Sequence, residues 1–183
     1  MERRTAIELR AGGDKATPRL VGYASVFNSP SQDLGGFTEI VKPGAFTRTL
    51  QSNAADPLAL VQHQPHMILG RKSAGTLRLA EDQRGLRFEV DLPNTQTAHD
   101  LLVSVERRDI CGASFAFSVP KGGDEWAVRG GQVVRELRDV DLHEVTITAS
   151  PAYTDTSVAR RAFAGRYVPP PYLRAAKLYL QTV

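Results

Sequence analysis

Cysteine is almost missing from this 183-residue chain, in which Cys111 stands alone. One thiol closes no internal disulfide, and the four histidines, His63, His66, His99 and His143, form no zinc-ligand spacing with it. A disulfide scaffold and a structural metal are therefore not expected, and a reducing, cytoplasmic setting is. Long apolar runs are missing too. Nowhere do about 18 uninterrupted apolar residues occur, the length that a membrane-spanning helix needs. The opening MERRTAIELR carries no apolar stretch of about seven residues of the kind found in secretion signals. The chain reads as soluble and untargeted. Charge of one sign is also scarce: 23 Lys+Arg against 20 Asp+Glu leave a net charge of +3, spread along the chain. Without a concentrated basic stripe, neither nucleic acid nor a membrane surface is expected as a partner. No internal repeat is present.

What remains is a chain 42% hydrophobic and long enough to bury one sizeable core. Short segments rich in β-formers dominate. Residues 5–9 and 20–27 read as a hairpin around AGGDKATP, and 37–41 as another strand after the loop NSPSQDLGG. Pro43 opens a short helix through Leu50, since proline in a first helical turn costs no hydrogen bond. Residues 58–62 form an apolar run that ends at His63 and turns into a loop.

In TLRLAEDQRGLRFEVDL the apolar positions Leu77 and Leu79, then Leu86, Phe88, Val90 and Leu92, alternate with polar ones around EDQRG, so a hairpin with one buried face is expected. Over 95–107 the period changes: Ala98, Leu101, Leu102 and Val105 make the stripe of an amphipathic helix, with Asn94 or Thr95 as N-cap. Strands return at 110–119, 125–128, 132–137 and 139–149. Helices do not alternate regularly with strands, so the pattern predicts a mainly antiparallel barrel or sandwich with inserted helices. From Arg160 the composition shifts to RRAFAGRYVPPPYLRAAKLYLQTV, which divides the chain into a domain over 1–160 and a proline-containing tail over 161–183, a docking or self-cleaved segment.

One residue in the strand ICGASFAFSV stands out. Strand alternation puts Cys111, Ala113, Phe115 and Phe117 on a core face and Gly112, Ser114, Ala116 and Ser118 on a face of small groups, where a substrate could approach the Ser114 hydroxyl. A serine attacks only when a histidine takes its proton and a third group orients that histidine. His99 falls on the polar side of the amphipathic helix. His63 and His66 flank a proline in VQHQPHMILG, and His143 lies beside Glu144 in VDLHEVTITASPAY. Counting alone does not choose among them. Cys111, on the phenylalanine face, is expected to be buried and inert, which argues against a cysteine hydrolase.

The ordered segments GYASVFN, GGFTEIVKPGAF, VQHQPHMILGR, GLRFEVDLP, ICGASFAF and LHEVTITASPAY choose among the candidates. Over about residues 20–160 they resemble the prohead maturation protease family of tailed bacteriophages, found also in prophages and gene transfer agents. That family is similar in fold to the herpesvirus capsid-assembly proteases, which implies a mostly antiparallel β-barrel flanked by helices. Carried over by motif, the resemblance implies Ser114 as nucleophile, His63 as general base and Glu144 as third member. Herpesvirus-type enzymes use a second histidine there, which makes His143 the alternative. Around the histidine the family usually has Asn and Asp, where this chain has Gln62 and Gln64. Before the serine strand it usually has a glycine-rich "RG", where this chain has Arg107, Arg108 and Asp109. After "EV" it usually has serine, where this chain has Thr146.

The implied activity is a serine endopeptidase without metal or organic cofactor. The implied substrates are the scaffold, the scaffold-like N-terminal region of the major capsid protein, and the protease itself, with a homodimer by analogy. The implied place is the assembling prohead in the bacterial host cytoplasm. The rival reading is a noncatalytic assembly module that binds capsid protein without needing His63.

Overall fold

The computed structural model describes residues 2–149 apart from 7–8, 14–17 and 32. The expected tail over 161–183, and its boundary at 160, lie outside the described residues. In chain order the elements begin β1 (Glu2–Ala6), β2 (Leu9–Gly13), β3 (Pro18–Val26), β4 (Thr38–Val41), α1 (Thr47–Gln51), β5 (Leu58–Val61) and β6 (Gln64–Arg71). They continue with β7 (Leu77–Glu81), β8 (Gly85–Asp91), α2 (Gln96–Glu106), β9 (Gly112–Ser118), β10 (Asp124–Arg129), β11 (Gln132–Leu137) and β12 (Asp141–Thr148). No helix among the described residues is long and apolar enough to cross a membrane.

The strands pair into a five-stranded sheet, β1-β9-β12-β5-β6, a four-stranded sheet, β2-β3-β8-β7, and a three-stranded sheet, β10-β11-β4. Pairing is antiparallel except between β12 and β5 and between β11 and β4. The mainly β expectation therefore holds, but the strands lie in three open sheets and not in the single closed barrel expected. Local alternation says which residues share a face; closure depends on which distant edges meet, and no short segment carries that.

The core lies between the five- and four-stranded sheets. Ala113, Phe115, Val145 and Ile147 from one meet Leu20, Leu86, Phe88 and Val90 from the other. The Phe115 ring takes Phe46 edge-on at 5.3 Å and stacks with Phe117 at 5.1 Å, geometries that favour aromatic pairs. Helix α2 buries Ala98, Leu101 and Val105, three positions of the expected stripe, in the same core. Its N-cap is Thr95, whose hydroxyl oxygen accepts from the Ala98 N–H at 3.4 Å. The β7–β8 hairpin turns where expected, and Asp82 holds it by accepting from the N–H groups of Arg84 and Gly85. Glycine is required at position 85, because a Cβ there would lie 2.0 Å from the Ser25 carbonyl oxygen.

Four local expectations are corrected. The AGG of the expected first turn belongs to β2, and the region predicted as one strand holds parts of two. Residues 43–46 are turns, so α1 starts only at Thr47. The segment after His63 is strand β6, not a loop; it tolerates Pro65 because it lies at a sheet edge, where a missing N–H breaks no ladder. Cys111 precedes β9 and is exposed, so it does not belong to the core face.

Helix α1 fixes the entry to β12. The buried Thr49 hydroxyl donates to the Val140 carbonyl at 2.7 Å and accepts from the Leu142 N–H at 3.2 Å. Thr49→Val should orphan that buried N–H and cost about 1–3 kcal/mol, read as a lower midpoint in denaturant unfolding; an unchanged midpoint would show that the hydroxyl contributes nothing.

Candidate active site

Strands β9 and β12 lie side by side at the centre of the five-stranded sheet, and their register builds the site. Gly112, Ser114 and Ala116 stand opposite Thr148, Thr146 and Glu144 on one face. Ala113 and Phe115 stand opposite Ile147 and Val145 on the core face. Simple alternation along β12 would put Leu142 on the Glu144 face. A register shift between Leu142 and Glu144 prevents this, making His143 the extra residue of a bulge. Leu142 thereby joins the core while Glu144 keeps the side of Ser114.

The bulge also sets the position of His143. It is exposed, and its Nε2 lies 2.8 Å from the Ser118 hydroxyl. It is not the residue that meets His63.

His63 arrives from the neighbouring β5–β6 hairpin. Val61 pairs with Gln64, so Gln62 and His63 make a two-residue turn. Both have positive φ, 52° and 57°, the pattern of a type I′ hairpin turn, which favours Asn-Gly and disfavours residues with a long side chain. Besides the bond made by the His63 ring, three hydrogen bonds to β12 hold this unfavourable conformation. The Gln62 N–H donates to the Ile147 carbonyl at 2.9 Å. The His63 N–H donates to Thr146 Oγ1 at 2.9 Å. The Thr148 hydroxyl donates to Gln62 Oε1 at 2.7 Å.

The His63 ring turns inward, with its Nδ1 in a hydrogen bond to Glu144 Oε1. The two side chains are 11% and 9% exposed, so the pair is largely withdrawn from water. A carboxylate at Nδ1 fixes the proton there and leaves Nε2 as the basic nitrogen. That Nε2 is buried and has no hydrogen-bond partner among the described residues; the same is true of the Ser114 hydroxyl oxygen, in a residue 0% exposed. Buried polar atoms without partners are costly and concentrate at functional positions. Chemically, the cluster combines an oriented base with an unengaged hydroxyl in a water-poor setting.

Of the residues expected from sequence, His63 and Glu144 are in direct contact. Ser114 shares their face through its cross-strand partner Thr146. His66 and His99 are exposed. Sequence reading missed the roles of Gln62, Thr146 and Thr148. The signal for the threonines was present, since alternation in EVTIT places both on the face of Glu144; the turn had none, because Gln-His is no turn signature.

Burial no longer argues against Cys111 as a nucleophile, since its thiol is exposed. Position does: it stands before β9, roughly 10 Å of strand from Ser114 at about 3.3 Å per residue. Cys111→Ala should leave any hydrolytic activity of this cluster within about tenfold, because it removes an exposed thiol and no core packing. An alkylating reagent should modify Cys111 in the folded chain without stopping cleavage. Inhibition by that reagent, prevented by Cys111→Ala, would reverse the assignment.

Comparison with known proteins bears on what this cluster belongs to. The prohead protease of Enterobacteria phage HK97 is 28% identical over 154 residues, which are 83% of this chain and 64% of that protein. The chain thus spans just under two thirds of the length of that relative. The solved structure of the bacteriophage T4 capsid assembly protease, gp21, is similar over 81% of this chain and 99% of that one, with 8% identity and a TM-score of 0.41. A family model described as caudovirus prohead serine protease matches residues 5–167, most of the sequence, and the chain belongs to that family.

Proposed function

We propose that this chain is a serine endopeptidase of prohead maturation, with Ser114 as nucleophile, His63 as general base and Glu144 as the orienting acid. The observation that carries the reading is the buried Glu144–His63 pair, which leaves Nε2 without a partner among the described residues, on the face of a Ser114 hydroxyl of which the same is true.

In the first half-reaction Nε2 takes the Ser114 proton as Oγ attacks the substrate carbonyl carbon. Glu144 stabilises the imidazolium that results. The imidazolium then returns the proton to the departing amine, leaving an acyl-serine. Water, deprotonated by the same Nε2, attacks the acyl carbon, and the proton returns to Oγ as the acid product leaves. Both reacting atoms are buried, so a peptide bond reaches them only with local opening of the site.

The substrates by family are the scaffold, the scaffold-like N-terminal region of the major capsid protein, and this chain itself, inside the assembling prohead of a bacterial host. Inside a closed shell the local concentration of substrate is high, so weak intrinsic affinity suffices for complete cleavage. Co-expression with the major capsid protein encoded in the same genome, followed by intact-mass measurement of both chains, tests the reading. A capsid protein shortened at its N-terminus supports it. Full-length masses with stable association of the two proteins would make this chain a noncatalytic assembly module.

A further inference from the structure

We infer that Thr146 is a positioning residue of the active site: its hydroxyl fixes the His63 backbone so that the imidazole reaches Glu144 with Nδ1 and presents Nε2 to Ser114. The inference rests on the triad proposed above and goes beyond it by naming a residue outside the triad whose hydroxyl bonds only to backbone groups among the described residues.

The Thr146 side chain sits at the junction of all three members. Along β12 it is two residues from Glu144, and across the ladder it is the direct partner of Ser114. Its oxygen accepts from the His63 N–H at 2.9 Å and donates to the Leu60 carbonyl at 3.0 Å. That one hydroxyl thus ties the His63 N–H to the backbone of β5, the strand that leads into the turn. Thr146 is 0% exposed, so water does not substitute for the hydroxyl.

The tie matters because His63 adopts φ 57°, a left-handed conformation that a histidine does not hold by preference. If the N–H were released, the turn could relax toward negative φ, and the Cα–Cβ vector would swing the ring off Glu144. A β-branched residue suits the task, since its χ1 has few choices and a strand neighbour holds it. Serine keeps the oxygen with a freer rotamer and should restore most of the effect. Valine keeps the shape and removes the oxygen.

The test compares the full-length parent, Thr146→Val and Thr146→Ser. It reads three quantities: the His63 amide exchange rate, the tautomer of the His63 ring from its nitrogen chemical shifts, and the rate of cleavage of the purified capsid protein. In the parent the amide should be slow to exchange and the ring protonated at Nδ1. Thr146→Val should expose the amide to exchange, mix the tautomers and slow cleavage by roughly 10²-fold, the scale for a misplaced catalytic group. Thr146→Ser should return all three toward the parent.

A purely structural threonine would lower thermal stability in the valine variant and leave the ring tautomer unchanged; that result overturns the inference. Should the valine variant fail to fold, the parent alone decides, because fast exchange of its His63 amide overturns the inference and slow exchange with an Nδ1-protonated ring supports it. If the parent cleaves no capsid protein, the triad reading fails, while amide exchange and tautomer still report whether Thr146 positions the ring.

Discussion

On the proposed mechanism, replacing Ser114 by alanine should abolish cleavage of co-expressed capsid and scaffold proteins while the variant still folds and enters particles. The substitution deletes one oxygen, and Ser118, the next serine on β9, is engaged with His143. The structure adds a second expectation of opposite sign. Among the described residues the buried Ser114 hydroxyl has no partner, and an unsatisfied buried polar atom costs stability, so its removal should leave the protein as stable or more stable, by roughly 1 kcal/mol. Loss of activity with a gain in stability is the signature of a residue kept for function. Intact-mass analysis of co-expressed capsid protein and a thermal melt of the variant check the two parts. Cleavage at the parent rate would sink the nucleophile assignment, and a large drop in stability would mean that the hydroxyl has a structural partner.

The second large effect belongs to Glu144. Glu144→Gln keeps an oxygen able to accept from Nδ1–H, so the tautomer survives, but the charge that stabilises the imidazolium is gone. Turnover should fall by roughly 10²–10⁴-fold, the range for neutralising the orienting carboxylate of a triad. His143→Ala should cost less than about tenfold, since His143 is exposed at the bulge and its Nε2 faces Ser118. Initial rates of capsid cleavage for the two variants decide between the acid and the histidine. The reverse order of effects would make the triad Ser114, His63 and His143, nearer to the herpesvirus enzymes.

Much of this was legible in the sequence because it depends on local periodicity. The stripe at Ala98, Leu101 and Val105 made α2, and the alternation from Leu77 to Leu92 made the β7–β8 hairpin. The family motifs pointed to Ser114, His63 and Glu144 together, since a motif records where residues meet without saying how.

Tertiary structure decided the rest. The choice of three open sheets over a barrel depends on which strand edges meet across tens of residues, and alternation is blind to that. Whether Leu142 or Glu144 faces the site depends on a bulge at His143, one extra residue that reverses the parity of everything before it. Cys111 read as part of a strand that begins one residue later, and that single position moved its thiol from core to surface. The left-handed turn at Gln62 and His63 could not be read at all: the local sequence disfavours it, and bonds from Ile147, Thr146, Thr148 and Glu144, more than 80 residues away, hold it in place. Residue types and their local order set which groups were available for the chemistry, while the pairing of distant strands set which of them face one another, because hydrogen bonds between remote segments can hold a backbone where its own preferences would not.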